Sequence, residues 1–144
     1  YGSGSYLPTL KKKFIDAGVI QNVSFKGSVS HEEIIRWYSP NEIFLFPTNR
    51  FEGFPMVLPE AMFGGCPIVA YNMGGVSDAV ENNETGFLLQ PSDVAQFKEK
   101  VLLLTQDHDL RARMSHNAIN SARNKFSLDR MLDEYEKVFK EACK

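Results

Sequence analysis

Only two of the 144 residues are cysteine, Cys66 and Cys143, too few for a disulfide framework or a thiolate zinc site. A reducing cytoplasm is therefore the default compartment. Neither sign of charge dominates: 16 Lys and Arg face 18 Asp and Glu, a formal net charge of −2. That balance excludes the basic footprint of a nucleic-acid binder. No apolar run approaches the roughly 20 residues of a membrane-spanning helix. No period of repeats and no low-complexity stretch is present. The chain begins Tyr1-Gly2-Ser3-Gly4-Ser5, without an initiator Met or a signal-peptide pattern. This opening reads as the tail of a strand and its turn, cut from something longer.

What is present is the composition of one soluble domain, 43% apolar and 24% charged, and an alternation of β-rich runs with helical periodicity. Residues 5–17 read as a helix capped by Ser5, with Pro8 in its first turn and Leu7, Leu10, Phe14 and Ile15 on one face. A short strand follows at 23–25, ending at Gly27. Ser30 and Glu33 form a capping box. The helix they open carries Ile34, Ile35, Trp37 and Tyr38 and must stop before Pro40. The aromatic residues Trp37, Tyr38, Phe44 and Phe46 read as core. Residues 43–46 are apolar on both faces, as in a strand buried within a parallel sheet, and 67–71 repeat that character. A Gly74-Gly75 turn, a short helix over 76–81 and a strand over 87–89 come next. A helix capped by Ser92 and two amphipathic helices, over 110–125 and 128–142, complete the chain. The pattern predicts an α/β fold, a parallel sheet with helices on both faces. Ligands of such sheets bind at the carboxyl ends of the strands.

That rule directs attention to the loop after residue 46. Glu52 lies in the loop, and Gly53 lets the backbone pass close to a ligand. A helix starting near Pro55 would offer the amides of Met56 and Val57 to a phosphate. Glu60, in the second turn, leans back toward the same end, where a carboxylate can accept from the two hydroxyls of a ribose. The bland alternative is that Glu52 caps the helix and Glu60 is surface. Pro59 is awkward in either case, because it removes a bond to Pro55.

Glu52 and Glu60 with Ala61-Met62, then Gly65-x-Pro67 and Gly74-Gly75, resemble the C-terminal domain of family 4 ("group 1") retaining glycosyltransferases. The likeness extends to Val23-Ser24-Phe25-Lys26-Gly27, Phe46-Pro47, Pro67-Ile68-Val69-Ala70, Thr85-Gly86-Phe87-Leu88 and the Met114 to Ser127 stretch. These are GT-B enzymes with two Rossmann-like domains. The resemblance implies a single nucleotide-sugar-binding domain over residues 1–144, truncated at its start, with the N-terminal acceptor domain outside this sequence. It implies that Glu60 holds the ribose and that Glu52, as the catalytic residue, sits by the transferred sugar. Gly53 and Phe54 would belong to the donor site, and the Met56 and Val57 amides would meet the diphosphate. Gly27 and Ser28 would lie by the base, and Thr48 would end the strand feeding the loop. No metal or other cofactor is implied; the partners are a nucleotide-sugar donor and, through the other domain, a glycan, lipid or other small acceptor. The fragment alone is expected not to transfer sugar. Peripheral membrane association would concern only the full-length enzyme. Asp78 stands where the family often has Glu, a change that a helix-capping role tolerates.

Other signals are plainer. Asp107-His108-Asp109 precedes a helical run and reads as a cap rather than a metal motif. His31 and His116 read as surface, and Cys66 as a small buried residue leading into a strand. The Asn22 and Asn83 acceptor patterns read as coincidental. Two other functions stay open: a sugar-nucleotide epimerase or hydrolase of the same fold, and a non-catalytic α/β binding module.

Overall fold

The computed structural model describes residues 2–143. Tyr1, first residue of the expected strand tail, lies outside them. The chain divides into two units, Tyr1–Arg36 and Trp37–Lys144.

The first unit holds α1 (Leu7–Asp16), a 3-10 turn at Ile20–Asn22, and most of α2 (His31–Trp37). Pro8 does occupy the first turn of α1, where its missing N–H is harmless. The cap position, however, is Tyr6 and not Ser5, and no side chain caps the helix. Ser30 fulfils its role at α2, its Oγ accepting from the Glu33 amide at 3.2 Å. The strand expected at 23–25 does not form. Val23 is extended, but a strand needs a ladder partner. The Val23 amide closes the 3-10 turn on the Ile20 carbonyl at 3.1 Å, and the Gly2 amide donates to the Gly27 carbonyl at 2.6 Å, which makes no ladder. Phe25 instead packs edge-on against Phe14, with ring centroids 5.9 Å apart.

In the second unit β2 (Ile68–Tyr71) is buried at every position because it lies between β1 (Phe44–Phe46) and β3 (Gly86–Leu89). All pairings are parallel, with Leu45 beside Val69 and Val69 beside Phe87. Alternate residues point to opposite faces, and each face has its own core. Ile68 and Ala70, with Phe44, Phe46 and Leu88, pack against α3 (Val57–Phe63), α4 (Val76–Ala79) and the Ala118 and Ala122 stripe of α6 (His108–Phe126). Val69, Tyr71, Phe87 and Leu89 pack under α5 (Val94–Gln106) and the first turns of α6, through Leu104 and Met114. This is the expected parallel sheet with helices on both faces. The last helix, α7 (Leu128–Ala142), has no buried residue.

Three local expectations are corrected. Leu45 is 46% exposed, because β1 is an edge strand and the core that buries Val69 does not extend to it. Trp37 is 50% exposed, whereas Tyr38, Phe44 and Phe46 do join the core. The cap of α5 is Asp93, one residue beyond Ser92; its carboxylate accepts from the Gln96 amide at 2.9 Å. Asp107 caps α6 as expected, accepting from the Leu110 amide at 2.8 Å.

Candidate functional site

The site is assembled at the carboxyl ends of β1 and β2. Leaving β1, the chain turns at Thr48, whose Oγ1 accepts from the Arg50 amide at 3.2 Å. The loop then crosses to the turn after β2, where the Gly75 amide donates to the Glu52 carbonyl at 2.8 Å. Any side chain at Gly74 would strike the Glu52 carbonyl, and any at Gly75 the Gly53 carbonyl. Gly74 also has φ of +56°. The glycine pair is therefore what allows the Glu52-Gly53 backbone to lie on the end of β2. Glu52 itself is half-buried.

Beyond Gly53 the loop is fastened hydrophobically. The Phe54 ring packs on Phe126 at the end of α6, with centroids 5.6 Å apart, and Pro55 is buried. Helix α3 then begins with Met56 as its cap and Val57 as its first residue. Pro59 is the third helical position, where a backbone N–H has no intrahelical acceptor in any case. The Leu58 amide reaches the Pro55 carbonyl at 3.0 Å, and the Glu60 amide the Met56 carbonyl at 3.2 Å. The difficulty posed by Pro59 thus dissolves. Glu60 sits in the first turn, half-buried, on a helix anchored by fully buried Leu58, Ala61 and Met62. Asp78 is exposed in the first turn of α4, whose cap is Gly75.

Tyr38 was legible only as core, yet its hydroxyl is buried with no hydrogen-bond partner among the described residues. Burial pushes its pKa up to about 12, and the charges of Glu60 and Cys66 add to the effect. The Cys66 thiol donates to the Ser39 carbonyl at 3.4 Å. Burial, then the Glu42 charge, outweighs that bond and raises its pKa. Both groups are neutral packing elements at pH 7.

The structure thus brings Thr48, Glu52, Gly53, Phe54, Met56, Val57 and Glu60 together on one loop and helix start. Gly27 and Ser28 belong to the first unit; there the Ser28 hydroxyl lies 3.2 Å from that of Ser3. What sequence reasoning missed is the strap between Glu52 and Gly75; the adjacent glycines were its signal. Among the described residues no three His, Cys, Asp or Glu side chains are grouped to hold a metal ion.

The family model described as "Glycosyl transferases group 1" matches residues 1–121. The capsular polysaccharide biosynthesis glycosyltransferase CapM of Staphylococcus aureus is 36% identical over 105 residues, covering 73% of this chain and 27% of its own length. Alpha-D-kanosaminyltransferase of Streptomyces kanamyceticus is 31% identical over 140 residues, covering 97% of this chain and 36% of its own. The chain thus spans about a third of the length of the curated relatives it matches. Among solved structures, Anabaena HepE in complex with UDP superposes with a TM-score of 0.83 at 22% identity, covering 94% of this chain and 37% of that one. The C-terminal domain of a group 1 family protein from Francisella tularensis, LpcC, gives a TM-score of 0.74 at 25% identity, over 85% of this chain and 63% of that one. The fold is that of one half of a GT-B protein.

Proposed function

The chain belongs to the group 1 glycosyltransferases, and from that premise we propose that it binds the nucleotide-sugar donor of such an enzyme. The observation that carries this reading is the placement of Glu52 and Glu60 around one helix start at the carboxyl ends of parallel strands. Ligands of open α/β sheets gather there. Glu60 accepts hydrogen bonds from the ribose hydroxyls. The amides of Met56 and Val57 meet the diphosphate, with the α3 dipole behind them. Glu52 faces the sugar, orienting its hydroxyls and stabilising positive charge at the anomeric carbon. Gly53 leaves room for the ligand, and Phe54 and Thr48 fix the loop that presents it.

Chemically, transfer separates a diphosphate from an oxocarbenium-like sugar. Preorganised amides stabilise the departing charge without proton transfer or metal, and the sugar passes to the acceptor with retention. Support for a nucleotide-sugar donor comes from relatives: GDP-mannose is named for a Mycobacterium tuberculosis mannosyltransferase 32% identical over 119 residues. HepE was solved with UDP-glucose. A cytoplasmic location is part of the proposal; both cysteines are free, and no described helix is long and apolar enough to cross a membrane.

Calorimetric titration with UDP, GDP and ADP tests the reading. Saturable binding of at least one is expected, weakened about 10- to 100-fold by Glu60→Ala, the cost of removing a charged hydrogen-bond acceptor. No saturable binding of any of the three would reject it.

A further inference from the structure

The opposite end of the sheet carries a second cleft, of about 390 Å³, between the segment that enters β1 and the first half of α6. Its polar walls are Asn41, His108, Arg111, Ser115 and His116, and among the described residues no carboxylate lines it. Arg111 is fixed before any ligand arrives. One guanidinium nitrogen donates to the Leu104 carbonyl at 3.2 Å, and another meets the His108 Nδ1 at 2.8 Å. Since a guanidinium can only donate, His108 Nδ1 accepts, and the ring proton stands on Nε2 as a further donor. Ser115 is 3% exposed. Asp107, at the head of α6, is spent on the Leu110 amide.

Gly65 packs closely against three residues of the cleft wall. A side chain there would stand 3.0 Å from Ser115 Oγ and 3.1 Å from both Ile119 and Pro40, all of which line the cleft. Gly65 has φ of +85°, a left-handed turn that brings the backbone close against the cleft wall. A second groove of similar size, beside Glu81 and Glu84, has two carboxylates in its wall, and therefore lacks this preference for anions.

We propose that the Arg111 cleft binds a small phosphorylated ligand. The phosphate lies against the Arg111 guanidinium and His108 Nε2–H, a charge-assisted arrangement. Ser115, His116 and Asn41 complete its contacts. The volume exceeds that of the bare ion and falls in the range of small-ligand pockets, so a phosphomonoester of a sugar fits the space better than phosphate alone. This site is separate from the proposed donor site and does not depend on it.

The test is an amide NMR titration of the chain with inorganic phosphate, glucose 6-phosphate and glucose at matched ionic strength. Saturable shifts confined to Asn41, His108, Arg111, Ser115, His116 and their neighbours are expected with the two phosphates and not with glucose. Tighter binding of the sugar phosphate identifies a phosphorylated metabolite as the ligand; equal binding identifies the free ion. Arg111→Gln should weaken binding about tenfold or more, and His108→Gln, which spares the bond to Leu104, should weaken it less. UDP affinity should be the same in both variants as in the wild type. Shifts that do not saturate, shifts spread over the surface lysines, or both variants binding phosphate like the wild type would overturn the proposal.

Discussion

The Gly75 amide donates to the Glu52 carbonyl at 2.8 Å, so the loop after β1 is held by the turn after β2. The position of Glu52 thus depends on a pair of glycines more than twenty residues away in sequence. Gly75→Ala would drive a methyl group into the Gly53 carbonyl. We expect a stability loss of about 1–3 kcal/mol and a loss of nucleotide affinity larger than that of Ser77→Ala, an exposed neighbour. Thermal unfolding and UDP titration of the two variants check this.

Tyr38→Phe is expected to leave stability unchanged or raise it by up to about 1 kcal/mol, since the buried hydroxyl has no partner among the described residues and removing it relieves a desolvation cost. The pH dependence carries a sign. The folded pKa, about 12, lies above the unfolded value, near 10, so the neutral phenol stabilises the fold below pH 10. That contribution is lost as pH rises toward 12. Urea unfolding at pH 8 and pH 11 should show the wild type losing stability that Tyr38→Phe retains.

Several elements were legible because their signals are local. Apolar runs located β1 and β2, and Asp107 and Ser30 announced the helices they cap. Glu52 and Glu60 stood out through their place after a strand. What was not legible depends on neighbours. Leu45 and Trp37 are as apolar as their buried companions, and only the absence of cover on one side leaves them exposed. Residues 23–25 have strand composition but no ladder. Ser92 and Asp93 are both good caps, and the backbone turn chose the second. The Pro59 puzzle was settled by a shift of the helix start of two residues.

Glu81 accepts from Ser121 at 2.7 Å and Lys125 at 2.8 Å. Lys125 first, then Ser121, holds its carboxyl below the ordinary value. The stabilisation is therefore present above the unfolded glutamate pKa of about 4.3 and is lost as pH falls through the folded value. Because both partners are more than 40% exposed, Lys125→Met should cost under about 1 kcal/mol at pH 7. The difference from wild type should shrink in urea unfolding as pH falls below the unfolded glutamate value.

Asp107→Ala should lower stability by about 1 kcal/mol, the value of an N-cap, through loss of the bond to Leu110. Asp109→Ala, which removes only a charge in the first turn, should cost less. Thermal unfolding of both variants separates capping from a shared metal-binding role, in which the two would fall together and Mn²⁺ would stabilise the wild type.

The central claim is that Glu60 holds a ribose. Its most direct test is a double comparison: UDP against 2′,3′-dideoxy-UDP, on the wild type and on Glu60→Ala, by calorimetry. The account predicts that the wild type favours UDP by about tenfold or more and that the preference disappears in Glu60→Ala. A preference of equal size in both proteins would contradict it.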